Sequence, residues 1–78
     1  IESETRQVME NLKAILKAAD MDFENVIKTT IFVSDMNNFS KINTIYGHYF
    51  NTAPARETVE VANLPKFANV EISVIASH

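Results

Sequence analysis

The sequence predicts one small α+β domain, with two helices packed on one face of a sheet in the order helix, strand, helix, strand, strand. Three observations carry this. Apolar residues recur at helical spacing over residues 4–19 and 38–50. Three runs, 26–34, 56–62 and 69–76, are rich in β-branched residues or alternate apolar with polar. With one Gly and two Pro in 78 residues, little chain is left for long loops.

In the first helix, Val8, Leu12, Ile15, Leu16 and Ala19 fall on one face. Ser3 is the expected N-cap, and Glu4 suits the positive end of the helix dipole. Asp20 and Asp22 close the helix and cap a single turn at Phe23-Glu24-Asn25. The strand at 26–34 is apolar on both parities: Ile27, Ile31 and Val33 on one, Val26 and Phe32 on the other. A strand of that kind belongs inside a sheet. Phe39, Ile42, Tyr46, Tyr49 and Phe50 stripe the second helix, with Asp35 or Asn38 as its cap. Gly47 weakens this helix, and Asn51-Thr52-Ala53-Pro54 ends it.

The last two strands flank a turn at Asn63–Phe67 and are expected to pair antiparallel. Val59 and Val61 share one face, as do Val70, Ile72 and Val74. Arg56, Thr58 and Glu60 take the opposite face of one strand, and Glu71, Ser73 and Ile75 that of the other. If the two strands pair, Arg56 and Glu71 share the sheet face away from the helices. A subunit contact there would create a polar cleft suited to a small ligand.

Composition narrows the function. A chain this short rarely nets more than about 3–5 kcal/mol from its own core. The usual supplements are disulfides, metals or partner subunits. There are no cysteines, which removes disulfides and thiolate zinc sites, and His48 and His78 do not form a metal motif. Self-association is the expected supplement. Seven basic against ten acidic residues leave no basic stripe, so nucleic acid is disfavoured as a partner. The longest apolar run is three residues, too short for a membrane span. The chain starts at Ile1, so it is read as processed or N-terminally incomplete, a single domain over 1–78.

Two residues stand out. Arg56 opens a strand, where it is either a solvated surface arginine or a planar clamp for a carboxylate. Glu71 sits mid-strand, where glutamate is disfavoured, as a solvated or ion-paired residue or as a specific acid/base group. Read singly, Thr58 is a strand former, Asn43 an exposed helix residue, and the Phe39–Phe50 aromatic stripe core. No Gly-rich phosphate loop is present.

The run Pro54-Ala55-Arg56-Glu57-Thr58-Val59-Glu60-Val61-Ala62-Asn63-Leu64-Pro65-Lys66, continuing to Val70-Glu71-Ile72, resembles the signature of the reactive intermediate deaminase family. That family is also called Rid/YjgF or L-PSP endoribonuclease. Thr5–Lys13 is similar to its first helix, Val26–Val33 with Asp35-Met36-Asn37 to its next strand and turn, and Ile42–Tyr46 to its second helix. The resemblance covers essentially the whole chain. It implies a chorismate-mutase-like fold, a homotrimer with sites in clefts between subunits, and a cytoplasmic hydrolase of the 2-iminobutanoate/2-iminopropanoate deaminase type. That activity turns 2-imino or enamino acids into 2-keto acids and ammonia, with no cofactor and no metal. By the same resemblance, Arg56 holds the substrate carboxylate and Glu71 positions the attacking water. Thr58 lies near the imine nitrogen, where relatives carry Cys or Ser, and Asn43 and Phe39 line the cleft.

The family's N-terminal strands and their Gly-Pro-Tyr-Ser segment are not in this sequence, and Asn63 replaces a basic residue before Leu-Pro-Lys. Two other functions fit part of the pattern. One is a non-enzymatic trimeric module that binds small carboxylates. The other is an endoribonuclease or translation inhibitor, which the acidic balance disfavours.

Overall fold

The computed structural model describes all 78 residues. Strand β1 (Val26–Val33) forms the middle of a three-stranded sheet, as its apolar character on both parities predicts. Helix α1 (Glu2–Ala18) precedes it, and helix α2 (Phe39–Gly47) leads to strand β2 (Ala55–Glu60). Strand β3 (Val70–Ala76) ends the fold. Single 3-10 turns at Phe23–Asn25, Met36–Asn38 and Pro65–Phe67 join the elements.

The last two strands do not pair with each other. The order is β2-β1-β3, with β2 parallel and β3 antiparallel to β1. The strand–helix–strand unit β1–α2–β2 accounts for the parallel pair. Its helix carries the chain back to the end where β1 began, so β2 can lie beside β1 only in parallel. β3 then takes the free side of β1.

This register also overturns the expected sharing of a face. Residues paired across strands point to the same side of a sheet. Arg56 lies opposite Thr29 and Thr58 opposite Ile31, and both partners are fully buried on the side the helices cover. Glu71 lies opposite Phe32 and Ser73 opposite Thr30, on the uncovered side. Arg56 and Glu71 therefore occupy opposite faces and opposite edge strands.

The core joins Met9 of α1, Ile31 and Val33 of β1, Ile42 and Tyr46 of α2, and Val70 and Ile72 of β3. The buried face of α1 is rotated from the expected stripe. Thr5, Met9 and Leu16 are buried, Val8 and Leu12 half-buried, and Ile15 is 66% exposed. Thr5 tolerates burial because its hydroxyl donates to the Ile1 carbonyl at 2.8 Å. Ile1, not Ser3, sits at the helix start. A register shift between Val26 and Lys28 turns Ile27 out to solvent.

The turn chemistry follows expectation more closely. Asp22 accepts from the Glu24 N–H at 2.8 Å while Asn25 Oδ1 accepts from the Asp22 N–H at 3.0 Å, a reciprocal cap. Asp35 accepts from the Asn37 N–H at 2.9 Å, capping the turn before α2. The second helix ends at Gly47, earlier than expected. Beyond it Tyr49 and Phe50 pack edge-on against Phe23, with centroids 5.5 and 5.0 Å away. The Tyr49 hydroxyl donates to Glu10 Oε2 at 2.7 Å. That bond, then burial and the Glu10 charge, raise the phenol above its ordinary value of 10.0. No helix is long and apolar enough to cross a membrane.

Candidate active site

Phe39, Asn43 and Tyr46 recur at i, i+4 and i+7 and so share one face of α2. Arg56, at the start of β2, crosses that face. Its guanidinium carbon lies 5.6 Å from the Phe39 ring centroid and 5.2 Å from that of Tyr46. Its Nη1 donates to Asn43 Oδ1. Two aromatic faces and one amide thus hold the fork in place. A guanidinium has five N–H donors, and Asn43 engages only one nitrogen.

No carboxylate pairs with Arg56. The one ion pair in the chain joins Lys28 Nζ to Glu57 Oε1 at 3.9 Å, on the uncovered face. Next to Arg56 opens a cavity of about 530 Å³, bordered by Asn43, Tyr46, Gly47, Phe50 and Pro54. Thr29, the residue opposite Arg56 on β1, and Tyr46 each carry a buried hydroxyl without a hydrogen-bond partner. An exposed arginine with free donors, above aromatic rings and beside a cavity, is equipped to grip a planar anion.

Of the residues singled out in the sequence, Arg56, Asn43 and Phe39 come together. Thr58 is on the same side, half-buried, two residues further along β2, and does not border the cavity. Glu71 is exposed on the uncovered face, away from all four. Tyr46, read from the sequence only as core, is part of the site. The signal for it was its spacing of three residues from Asn43 and seven from Phe39. No group of three or more His, Cys, Asp or Glu residues is placed to hold a metal.

The approach to Glu71 is tied down separately. Glu4 of α1 accepts from the Asn69 backbone N–H at 2.8 Å and from Asn69 Nδ2 at 3.0 Å. Burial alone would raise the Glu4 carboxyl, but the hydrogen bonds from Asn69 and from the Val70 backbone outweigh it and hold it below its ordinary 4.5. The Ser34 hydroxyl donates to Asn69 Oδ1 at 3.4 Å.

The family model described as Endoribonuclease L-PSP matches residues 1–78. The chain belongs to this family, the Rid/YjgF group. This L-PSP family chain is 53% identical over 78 residues to a RutC family protein of Synechocystis, covering 97% of the chain and 60% of that protein. It is 50% identical over 74 residues to a mouse 2-iminobutanoate/2-iminopropanoate deaminase, covering 94% of the chain and 55% of the enzyme. Among solved structures, Escherichia coli TdcF with bound serine superimposes at a TM-score of 0.95. That match has 40% identity and covers 99% of this chain and 64% of TdcF. The Rid chain described here thus spans about three-fifths of the length of its curated relatives.

Proposed function

We propose that this chain supplies the carboxylate-binding half of a site that hydrolyses 2-imino acids to 2-keto acids and ammonia. The observation that carries the reading is Arg56, braced by Asn43, Phe39 and Tyr46 beside a cavity and free of any acidic partner. Relatives named as imine deaminases, and one crystallised with serine, a small carboxylate, support it.

The chemistry needs few groups. Arg56 holds the carboxylate and so orients the imine carbon. Water oxygen bonds to that carbon, and the C=N electron pair passes to nitrogen. After proton transfer, ammonia leaves and the 2-keto acid remains. An acceptor aimed at the water assists its attack, and Glu71 is the residue we assign to that task. Within one chain Glu71 faces away from Arg56. The Glu71 that serves a given Arg56 therefore comes from another copy, in a homotrimer. Exposed Val59 and Ile75, on the sheet face without helices, fit such a contact.

The test generates 2-iminopropanoate with an amino-acid oxidase and traps it with semicarbazide. Wild-type chain is expected to divert the imine before trapping, in proportion to the assembled species seen by sedimentation. Arg56→Ala should end this diversion without altering the circular dichroism spectrum, and full activity in that variant would remove the assignment.

A binding-only module is the second reading, favoured by the separation of Glu71 from Arg56 within the chain. It expects small-carboxylate binding that survives Glu71→Ala, with no turnover by wild type.

A further inference from the structure

Helix α1 has a wider apolar stripe than its sheet covers. Beside the buried Met9 and Leu16, the stripe continues to Val8 and Leu12, which are half-buried, and to Ile15, which is exposed. These three border a groove that also takes in Val70, Glu71 and Ile72 of β3. Beyond β3 the sheet has no further strand. The Ser34 N–H donates to the Asn69 carbonyl at 3.2 Å, in the same register that pairs β1 with β3. Asn69, Glu71 and Ser73 therefore turn their backbone groups to β1, and Ile72 and Val74 turn theirs to the open edge.

The two edges of the sheet are guarded differently. β2 follows Pro54 and carries Arg56, Glu57 and Glu60, features that discourage a further strand. β3 reads Val70-Glu71-Ile72-Ser73-Val74-Ile75-Ala76, with no Pro, no Gly and a single charge. Such an edge is a template for pairing.

We propose that β3 pairs antiparallel with β3 of a second copy, about a two-fold axis at Ser73. Ile72 then lies opposite the partner's Val74, so the outward backbone groups of both residues are used. Glu71 lies opposite the partner's Ile75, so no charge meets its own kind. The axis stands perpendicular to the joined sheet, and both α1 helices cover the same side of it. Their Val8–Ile15 stripes meet over the junction and are buried there. A 78-residue chain, whose own core nets little, gains most from such burial. The pair uses an edge and not the sheet face on which Val59 lies, so it is independent of the contact that the proposed function requires.

Cross-linking of the full 78-residue chain tests this. At the axis the two Ser73 Cα atoms would be ~4.5 Å apart, within disulfide range. Ser73→Cys should oxidise to a two-chain species at least about tenfold faster than Glu71→Cys, two residues off the axis. Val74→Pro removes only an outward N–H, and Ile15→Glu puts a charge on the exposed stripe. Either should weaken self-association, followed by sedimentation, at least about tenfold and slow the Ser73→Cys cross-link. Either variant serves should the other not fold. Val59→Asp, on the sheet face, should leave the cross-link in place. Equal cross-linking at positions 71 and 73, a cross-link indifferent to both edge variants, or one lost in Val59→Asp overturns the pairing.

Discussion

The two edge strands flank the same central strand, yet they are built differently. β3 alternates cleanly: Val70 and Ile72 are buried and Glu71 and Ser73 exposed, with α1 packed over the inner face. In β2 only Thr58 is even half-buried, and the strand is tied to the rest by its ladder to β1, by Arg56 across α2 and by a few polar contacts. Glu60, for example, accepts the Met36 N–H at 2.7 Å. A strand buried on one side is scaffold, because its side chains are needed for packing. A strand whose side chains are not needed for packing can present a charged group to a ligand. Arg56 lies on the second kind of strand, beside a cavity, and Glu71 projects from the first toward the side without helices.

The largest expected effect lies in the scaffold that β1 and β3 share. Ile31→Ala should cost ~2–5 kcal/mol, close to everything a core of this size supplies, so cooperative unfolding in urea should disappear. Val59→Ala on β2, at 37% exposure, should change the stability of the isolated chain by no more than about 0.5 kcal/mol. Equal losses at the two positions would erase the distinction between the edges.

Next in size is Arg56→Ala. Charge-assisted hydrogen bonds contribute roughly 1.5–3 kcal/mol, which corresponds to a loss of about ten- to a hundredfold in carboxylate affinity. The thermal midpoint should fall only slightly, since exposed Arg56 gives up one amide bond and two aromatic contacts but no ion pair, and the ladder to β1 remains. Arg56→Lys should recover little, because an ammonium cannot reproduce the fork. A large drop in midpoint would show that β2 is scaffold after all.

A smaller effect is expected at Glu4, which anchors the approach to β3. Its folded-state pKa is lowered, so its contribution is present above about 4.5 and is lost as pH falls below that value. Glu4→Gln should cost about 1 kcal/mol at neutral pH and flatten the acid limb of the stability profile. An acid limb unchanged by the substitution would place the titration elsewhere.

The smallest effect concerns the orphan hydroxyl of Thr29, opposite Arg56. Thr29→Val removes a buried oxygen that has no partner in the chain and should stabilise by up to about 1 kcal/mol. A loss in the assembled protein but not in the isolated chain would show that a neighbouring copy satisfies that hydroxyl.

Periodicity and turn chemistry made much of this molecule legible in advance. The spacing of Val8, Leu12 and Leu16, the β-branched run from Val26, and the Asp22 and Asp35 caps act through neighbours within a few residues. The sequence alone therefore determined the elements, the central position of β1, and Arg56 and Asn43 as candidates. It could not decide which strands meet. Parity relates residues within a strand, whereas the face a side chain finally takes depends on the partner strand, chosen by backbone hydrogen bonds between distant segments. Pairing Thr29 with Arg56 and Phe32 with Glu71 put the two residues on opposite faces. Only the tertiary structure made that choice, and with it the cavity between the end of α2 and the start of β2. The helix between β1 and β2 makes that pair parallel, while β3 lies on the other side of β1, where α1 packs over the buried Val70 and Ile72, so the physical cause is packing between distant segments and not any property of Arg56 or Glu71.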